Sequence, residues 1–385
     1  MKIAVAVDSM KGSLTSLEAG EAVKEGILKA DPSAEVRVFP LADGGEGTQE
    51  ALTKGLGGKE VRCRVKGPMG RPVDAVYGMA EEKKLAVLEM ASAAGITLVS
   101  PEERDPLHAA TYGVGELIRD AVKRGCRQFI IGIGGSATTD GGLGMLQALG
   151  YEFLDEEGNP VPADPSGMDR IAAIRSDHVL PELKECSFQA ACDVTNPLCG
   201  PNGAVRVFGG QKGIREQEME QWDSRIARYA SVCEAFTGRS SRELPGAGAA
   251  GGLGFALLNF LQAELKPGAE LVLETVRLEE ELRDCDLVIT GEGRLDGQTV
   301  MGKAPIRTAQ LAKRWGIPVA AVAGAAGPEA VRCNEAGIDA FFPIPSAPLS
   351  LEEAMEKETA RKNLSLTAEQ IIRLLQAFQS GGRRK

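Results

Sequence analysis

The chain opens on a short apolar run within residues 2–7 that stops at the polar loop Asp8 to Ser13. From Ser16 to Ala30 the apolar positions Ala19, Val23 and Ile27 recur at helical spacing, and Asp31-Pro32 closes the segment. Residues 35–39 read as a second strand running into the loop ADGGEGT, so the chain begins in β-α-β order. The rhythm changes near residue 59. KEVRCRV, VDAVYGM and KLAVLEM are closely spaced strand patterns with Gly-Pro turns between them, which predicts antiparallel or mixed sheet. The spacing of Val114, Leu117, Ile118 and Ala121 predicts a helix over 111–124, followed by a strand at 128–133, the loop GGSATTDGG and a thin helix in GGLGMLQALG. Residues 155–170 read as loop, 187–192 as a strand ending at DVTNP, 214–237 as a charged helix, and Ala249 to Leu265 as another helix.

Clear alternation returns near residue 285. A strand CDLVIT, a loop GEGRLDGQT, a helix over 304–315, a strand IPVAAVA, a short helix, a strand DAFFPI and a final helix from Leu351 to Phe378 follow in order. The two ends therefore share one grammar and the middle has another. The expected architecture is α/β: a doubly wound parallel-sheet domain built from both termini, residues 1–65 and 285–380, with a second α/β mixed-sheet domain, 66–284, inserted. A contiguous split is the alternative.

Composition sharpens this picture further. At 385 residues the chain exceeds what one core usually takes, which favours two domains. Hydrophobic residues make up 43% but aromatics only 4%, so the apolar mass is Ala, Val, Leu and Ile, suited to thin helices on parallel strands. The net charge of −10, with no basic stripe beyond the terminal Arg383, Arg384 and Lys385, speaks against a nucleic-acid partner. Eight scattered cysteines without a CxxC pair fit free thiols in a reducing compartment. No run approaches the ~18 apolar residues of a membrane span, and the start does not resemble a signal peptide. The expectation is a cytoplasmic protein with no membrane partner.

Three glycine-rich loops invite comparison with nucleotide fingerprints. Gly132-x-Gly134-x-x-Ala137 follows a strand, but its helix begins only near Asp140, and the loop carries Ser136, Thr138 and Thr139. A hydroxyl-rich loop of this kind suits phosphate or carboxylate oxygens better than a close dinucleotide turn. Gly246-x-Gly248-x-x-Gly251 has no preceding strand, and its glycines fit close packing at a helix start. Gly297 to Ala304 has P-loop spacing but ends in Ala where Ser or Thr must reach Mg²⁺, leaving Lys303 at a helix start able to meet an anion.

Acidic residues recur just past strand ends: Asp8, Asp43, Glu46, Asp193, Glu292 and Asp296. In α/β sheets, ligands collect there. Asp8 and Lys11, three residues apart in a tight loop, offer one anion and one cation to a charged substrate. Histidine is nearly absent, with His108 and His178 away from the glycine loops, and HExxH, GxSxG and CxxC pairs are missing. That composition argues against histidine-centred hydrolysis and against zinc. Carboxylates, hydroxyls, backbone nests and a few Lys and Arg are the means of Mg²⁺-dependent phosphoryl transfer.

The motifs DSMKGSLTSLEAG (8–20), PLADGGEGT (40–48), LEMASAAG (88–95), IGIGGSATTDGGLGMLQALG (131–150), ACDVTNPLCGPNGA (191–204), FGGQKG (208–213), PGAGAAGGLG (245–254) and LVITGEGRLDGQT (287–299) resemble the bacterial glycerate kinase family in order and spacing. The resemblance covers about residues 1–375. Met10, in place of an aromatic, and Thr139, in place of Asn, depart from the family pattern, and the terminal GGRRK exceeds it. The resemblance implies a Rossmann-like domain with an inserted second domain, an active site in the interdomain cleft, and phosphorylation of (R)-glycerate by ATP with Mg²⁺, giving 2-phosphoglycerate and ADP. Implied catalytic residues are Asp193, as the base for the glycerate hydroxyl, with Lys11 and Asp296. Asp8, Ser9, Asp43, Gly44, Arg71, Arg294 and Asn196 are implied for the substrate. Gly134, Gly135, Ser136, Thr138, Thr139, Gly291, Glu292 and Lys303 are implied for the nucleotide, and Asp43 and Asp193 for the metal. Attack by the 3-hydroxyl would use the same groups. A nicotinamide-dependent hydroxy-acid dehydrogenase and a sugar-acid binding protein are the other readings. The oligomeric state, monomer or homodimer, stays open.

Overall fold

The computed structural model describes residues 1–381, with side chains described to Phe378; residues 382–385, most of the GGRRK tail, lie outside the described residues. In chain order the strands are β1 (Lys2–Val7), β2 (Glu35–Val38), β3 (Lys59–Lys66), β4 (Pro72–Ala80), β5 (Leu85–Glu89), β6 (Gln128–Gly132), β7 (Glu152–Leu154), β8 (Ala173–Arg175), β9 (Ser187–Ala191), β10 (Glu264–Lys266), β11 (Leu287–Leu295), β12 (Val319–Ala326) and β13 (Ala340–Pro343). The chain divides into two compact units, residues 1–43 with 269–385, and residues 44–268.

The first unit is an all-parallel sheet in the order β13-β12-β11-β1-β2. The chain leaves β1 to one side, for β2, and later returns to its other side, for β11. Strand order therefore reverses between β1 and β11, which is where a doubly wound sheet opens a crevice. β1 is buried along almost its whole length, because both faces of a central parallel strand are covered. Ile3, Val5 and Val7 join the core formed with the helices Ser16–Ala30 and Lys357–Gly381, while Ala4 and Ala6 are buried on the opposite face. Thr15 starts the first helix through a capping box: its hydroxyl accepts the Glu18 N–H at 3.2 Å and the Glu18 carboxylate accepts the Thr15 N–H at 2.8 Å. Gly26 permits a close helix crossing, since a Cβ there would lie 1.9 Å from the Ser365 carbonyl oxygen.

The second unit holds a six-stranded mixed sheet, β10-β9-β6-β5-β4-β3. β3, β4 and β5 form an antiparallel meander, and β5, β6, β9 and β10 run parallel. β7 and β8 form a separate two-stranded ribbon. The helix Tyr112–Lys123 buries Val114, Leu117, Ile118, Ala121 and Val122 on one face, as its spacing predicts.

Several expected boundaries move. The first unit ends at Asp43 rather than near 65, because β3 pairs with β4 over its full length and so belongs to the second sheet. It resumes at Ala269 rather than 285, with the helices Gly268–Thr275 and Leu278–Leu282, which the sequence reading had not separated from the middle domain. The helix expected from Ala249 to Leu265 is shorter. Left-handed backbone at Ala250, Gly251 and Gly252 delays its start to Leu253, it ends at Phe260, and residues 264–266 pair with β9 as a strand. The charged helix begins at Met219, after a tight turn over Glu216–Glu218. The last helix is broken at Glu356, whose extended backbone separates Leu351–Met355 from Lys357–Gly381. GEGRL is strand rather than loop: Glu292, Arg294 and Leu295 pair with Ala323, Ala325 and Ala326.

Candidate active site

In the first unit the chemistry gathers at the strand-order reversal. Asp8 directly follows β1, and its N–H donates to the Gly291 carbonyl at 2.8 Å, continuing the parallel register with β11. The Ser16 hydroxyl donates to the Val7 carbonyl at 2.6 Å and accepts the Leu41 N–H at 2.6 Å. One side chain at a helix start thus fixes both the end of β1 and the segment leading to Asp43. Between them, the loop from Asp8 closes on a Met10–Leu14 bridge, with Gly12 in the left-handed region at φ 79°.

These elements enclose a cavity of about 360 Å³. Its lining includes the carboxylates of Asp8, Asp43, Glu292 and Asp296, and the cations of Lys11, Arg294 and Lys303. Ser9 joins them, and Leu351, Ala354 and Met355 supply an apolar wall. Lys11 Nζ lies 3.5 Å from Asp43, Lys303 Nζ 3.7 Å from Glu292, and Arg294 Nε 3.6 Å from Asp296. The Thr299 hydroxyl donates to Glu292 at 2.6 Å and accepts the Asp296 N–H at 3.0 Å, so it orients the Glu292 carboxylate and ties it to the backbone at Asp296. Asp8 is only 6% exposed. Burial first, then the negative charges of Asp43 and Glu292, push its carboxyl up from 3.8 to about 7, against the Ser9 N–H and Lys11, which lower it. Burial likewise raises Glu292, opposed by the Thr299 hydrogen bond and Lys303.

In the second unit the hydroxyl-rich loop follows β6. Asp140, fully buried, organises it by accepting the Thr111 N–H at 2.8 Å, the Thr111 hydroxyl at 2.7 Å, and the Gly142 and Gly144 N–H groups at 3.1 and 3.2 Å. Burial still raises its carboxyl, because desolvation outweighs those four bonds. Gly134 and Gly135 are exposed, the latter at φ 71°. Ser136, Thr138 and Thr139 are buried, and the hydroxyls of Thr138 and Thr139 have no hydrogen-bond partner among the described residues. Unpaired buried hydroxyls are costly, and a ligand oxygen would satisfy them. The Gly246–Gly251 loop buttresses this one: a Cβ at Gly251 would lie 2.0 Å from the Thr138 carbonyl oxygen, and the Gly141 N–H donates to the Gly251 carbonyl at 3.0 Å. Its glycines serve close packing, as expected from their setting.

The remaining sequence candidates are spread more widely. Asp193 follows β9, beside β6 in the sheet, and accepts the Gly268 N–H at 2.9 Å while staying exposed. The Asn196 amide donates to the Asn202 carbonyl at 2.8 Å and so holds its own loop. Gly44, at φ 88°, passes close over the strand ends, where a Cβ would lie 2.9 Å from that of Ala191. Arg71, on the β3–β4 turn, is exposed and pairs with Glu103 at 3.0 Å, so its guanidinium is already engaged. Gly291 lies within β11, where a Cβ would meet the Val322 carbonyl oxygen at 2.1 Å, so strand packing accounts for it. Neither Lys212 nor Glu89 had been singled out. Lys212 reaches Ser136 from the FGGQKG segment, and the Glu89 carboxylate accepts the Gln49 N–H at 2.9 Å. Their signal lay in the motifs themselves: Glu89 is the lone charge in the apolar LEMASAAG and Lys212 the lone charge in the Gly-rich FGGQKG. Among the described residues, no three or more His, Cys, Asp or Glu groups are clustered to hold a metal ion, and no helix is long and apolar enough to cross a membrane.

The sequence model of the Glycerate kinase family matches residues 3–376. A glycerate kinase of Halalkalibacterium halodurans is 44% identical over 95% of this chain and 98% of its own. The glycerate 2-kinase of Escherichia coli is 44% identical over 92% of this chain and 93% of its own. A solved structure from Salmonella typhimurium LT2, described as glycerate kinase 2, has a TM-score of 0.91 at 43% identity and covers 99% of both chains. With a family match spanning both units and relatives aligned over almost their full length, the chain belongs to the glycerate kinase family.

Proposed function

We propose that this protein transfers the terminal phosphoryl group of ATP to the 2-hydroxyl of (R)-glycerate. The observation that carries this reading is the cavity at the carboxyl ends of β1 and β11, where acidic and basic side chains surround a space sized for a small organic acid. Lys11 and Arg294 are assigned to the glycerate carboxylate and to charge developing on the phosphoryl oxygens. Asp8, Ser9 and Asp43 are assigned to its hydroxyls. In the second unit, Gly134, Gly135, Thr138 and Thr139 are assigned to nucleotide phosphate, supported by the two unpartnered buried hydroxyls.

Asp193 is proposed as the acceptor of the hydroxyl proton, its orientation supported by the Gly268 N–H. The burial of Asp8 favours it as the second candidate for that role. The donor sets fit Mg²⁺, a hard ion that prefers carboxylate and phosphate oxygen and keeps several waters, so a preassembled cage is not required. Asp43 and Asp193 are the carboxylates proposed to hold it, and the ion would offset charge on the nucleotide phosphates. The 2-position is supported by the name of the Escherichia coli relative.

Purified protein incubated with Mg-ATP and D-glycerate should form ADP, and phosphorus NMR should show 2-phosphoglycerate. A 3-phosphate signal would overturn the regiochemistry; no ADP above background from folded protein would overturn the kinase reading. NADH formed from NAD without ATP would favour the dehydrogenase instead.

A further inference from the structure

Lys212 closes the short turn Gly210–Lys212, and its side chain is only 3% exposed. Its ammonium donates to the Ser136 hydroxyl at 2.7 Å and to the Thr138 carbonyl at 2.6 Å. An ammonium has three donors, so one remains without a protein partner among the described residues. Among the described residues, no carboxylate comes within ion-pair distance of it. Asp140 is the opposite charge felt across the loop, but its carboxylate is occupied by Thr111, Gly142 and Gly144. Arg104 and Tyr229 are ionisable groups that bond beside the loop and the turn. The Arg104 guanidinium donates to the neighbouring Gln211 carbonyl at 3.0 Å, and the Tyr229 hydroxyl donates to the Gly141 carbonyl at 3.2 Å. Neither supplies a negative charge.

A buried cation held by neutral oxygens is expensive unless an anion arrives. Burial accordingly brings Lys212 down from 10.5 to about 7, with Asp140 opposing. The surroundings suit an anion. Thr138 and Thr139 hydroxyls are buried and unpartnered, and Ser136, accepting from Lys212, keeps its own proton to donate.

We propose that Lys212 is the buried counter-cation of a phosphate site formed by the Gly134–Thr139 loop, and that it takes up a proton when a phosphate-bearing ligand binds there. The inference rests on the reading of this loop as the nucleotide-phosphate site. The lysine is a positioning residue: it ties the 208–213 segment to the loop and supplies charge without bonding to reacting atoms. The proton comes from solvent as the ligand's negative charge stabilises the ammonium.

Calorimetric titration of the full chain with Mg-ADP at pH 8, in two buffers of different ionisation enthalpy, counts the protons exchanged. A lysine titrating near 7 is about nine-tenths neutral at pH 8, so wild type should take up nearly one proton per ligand. Lys212→Arg keeps a permanent charge and should bind without that uptake. Lys212→Met should lose the uptake and bind at least about tenfold more weakly. A merely structural lysine would leave the proton count of the wild type near zero. Equal uptake by wild type and Lys212→Arg also overturns the proposal, and the arginine variant keeps the test decisive where methionine disturbs folding. Thr138→Val/Thr139→Val separates the two levels: unchanged Mg-ADP affinity there removes the nucleotide-site reading itself, whereas weakened affinity with no lysine-dependent uptake removes only the role of Lys212.

Discussion

Asp8 should cost the fold stability that Asn would not. Its carboxyl titrates near 7 in the folded chain against an ordinary 3.8, the shift being led by burial and reinforced by Asp43 and Glu292. Because the folded-state value is raised, the folded protein holds a proton that the unfolded chain has already released between those two pH values. Stability therefore falls as pH rises through that window and reaches its full penalty above 7. The difference corresponds to an upper figure of about 4 kcal/mol at pH 8 and vanishes near pH 4. Asp8→Asn removes the charge yet keeps an oxygen for the Ser9 N–H, which lies 2.6 Å from the present carboxylate. The expected gain is about 1–4 kcal/mol at pH 8 and near zero at pH 4, with loss of kinase activity. Urea unfolding on a Trp222→Phe background, which leaves Trp315 as the reporter of the first unit, would register a gain of 2 kcal/mol as a midpoint shift of about 1 M. Equal effects of Asp8→Asn at the two pH values, or destabilisation at pH 8, would refute the assignment of this carboxyl as a desolvated charge.

Asp193→Asn should keep the Gly268 hydrogen bond through its amide oxygen and lower kcat by about 10²–10⁴-fold if Asp193 is the proton acceptor, with the stability unchanged in calorimetry. Lys11→Ala should lower kcat/KM for glycerate while changing stability by less than about 1 kcal/mol, because its pair with Asp43 is largely exposed on the lysine side; steady-state kinetics and thermal melts check both. Gly251→Ala should cost about 2–4 kcal/mol, since its φ of 65° and its 2.0 Å Cβ approach to the Thr138 carbonyl oxygen must both be relieved, and should raise the KM for ATP.

The sheet of the first unit was legible because central parallel strands write themselves as unbroken apolar runs. KIAVAV and LVIT announce β1 and β11, and Asp8 marks the end of β1. Periodicity could not show where β11 stops. Glu292 and Arg294 look like loop in a Gly-rich stretch, and only pairing with the small residues Ala323 and Ala325 keeps them in the sheet. The limit at Asp43 was hidden for a similar reason. Strand β3 has no local signature of the sheet it joins, and membership was decided by its long-range pairing with β4. The helix start at Leu253 was obscured by Ala250, whose left-handed backbone has no compositional warning. Among the site residues, Asp8, Asp43 and Asp296 stand after strands as expected, whereas Glu292, expected after DLVIT, lies within β11. Lys212 was missed because a lysine in a polar-looking turn resembles a solvated charge until the chain folds over it.

Two titratable groups of opposite sign now stand out as poorly solvated: Asp8 in the first unit and Lys212 in the second. Stability alone would select against both, since a hydrophobic or neutral replacement of similar volume avoids the desolvation cost. Each instead borders groups that still have capacity for a ligand. Asp8 opens on a cavity containing Lys11 and Arg294, and Lys212 keeps one donor beside two unpaired threonine hydroxyls. A structural ion pair would have consumed that capacity. In the proposed reaction, a carboxylate displaced toward neutral pH can exchange a proton with a hydroxyl, and a lysine displaced toward neutral pH can answer the charge of an arriving phosphate. The opposite shifts share one cause: burial disfavours the charged form of each group, and a ligand bound beside it supplies the missing interaction.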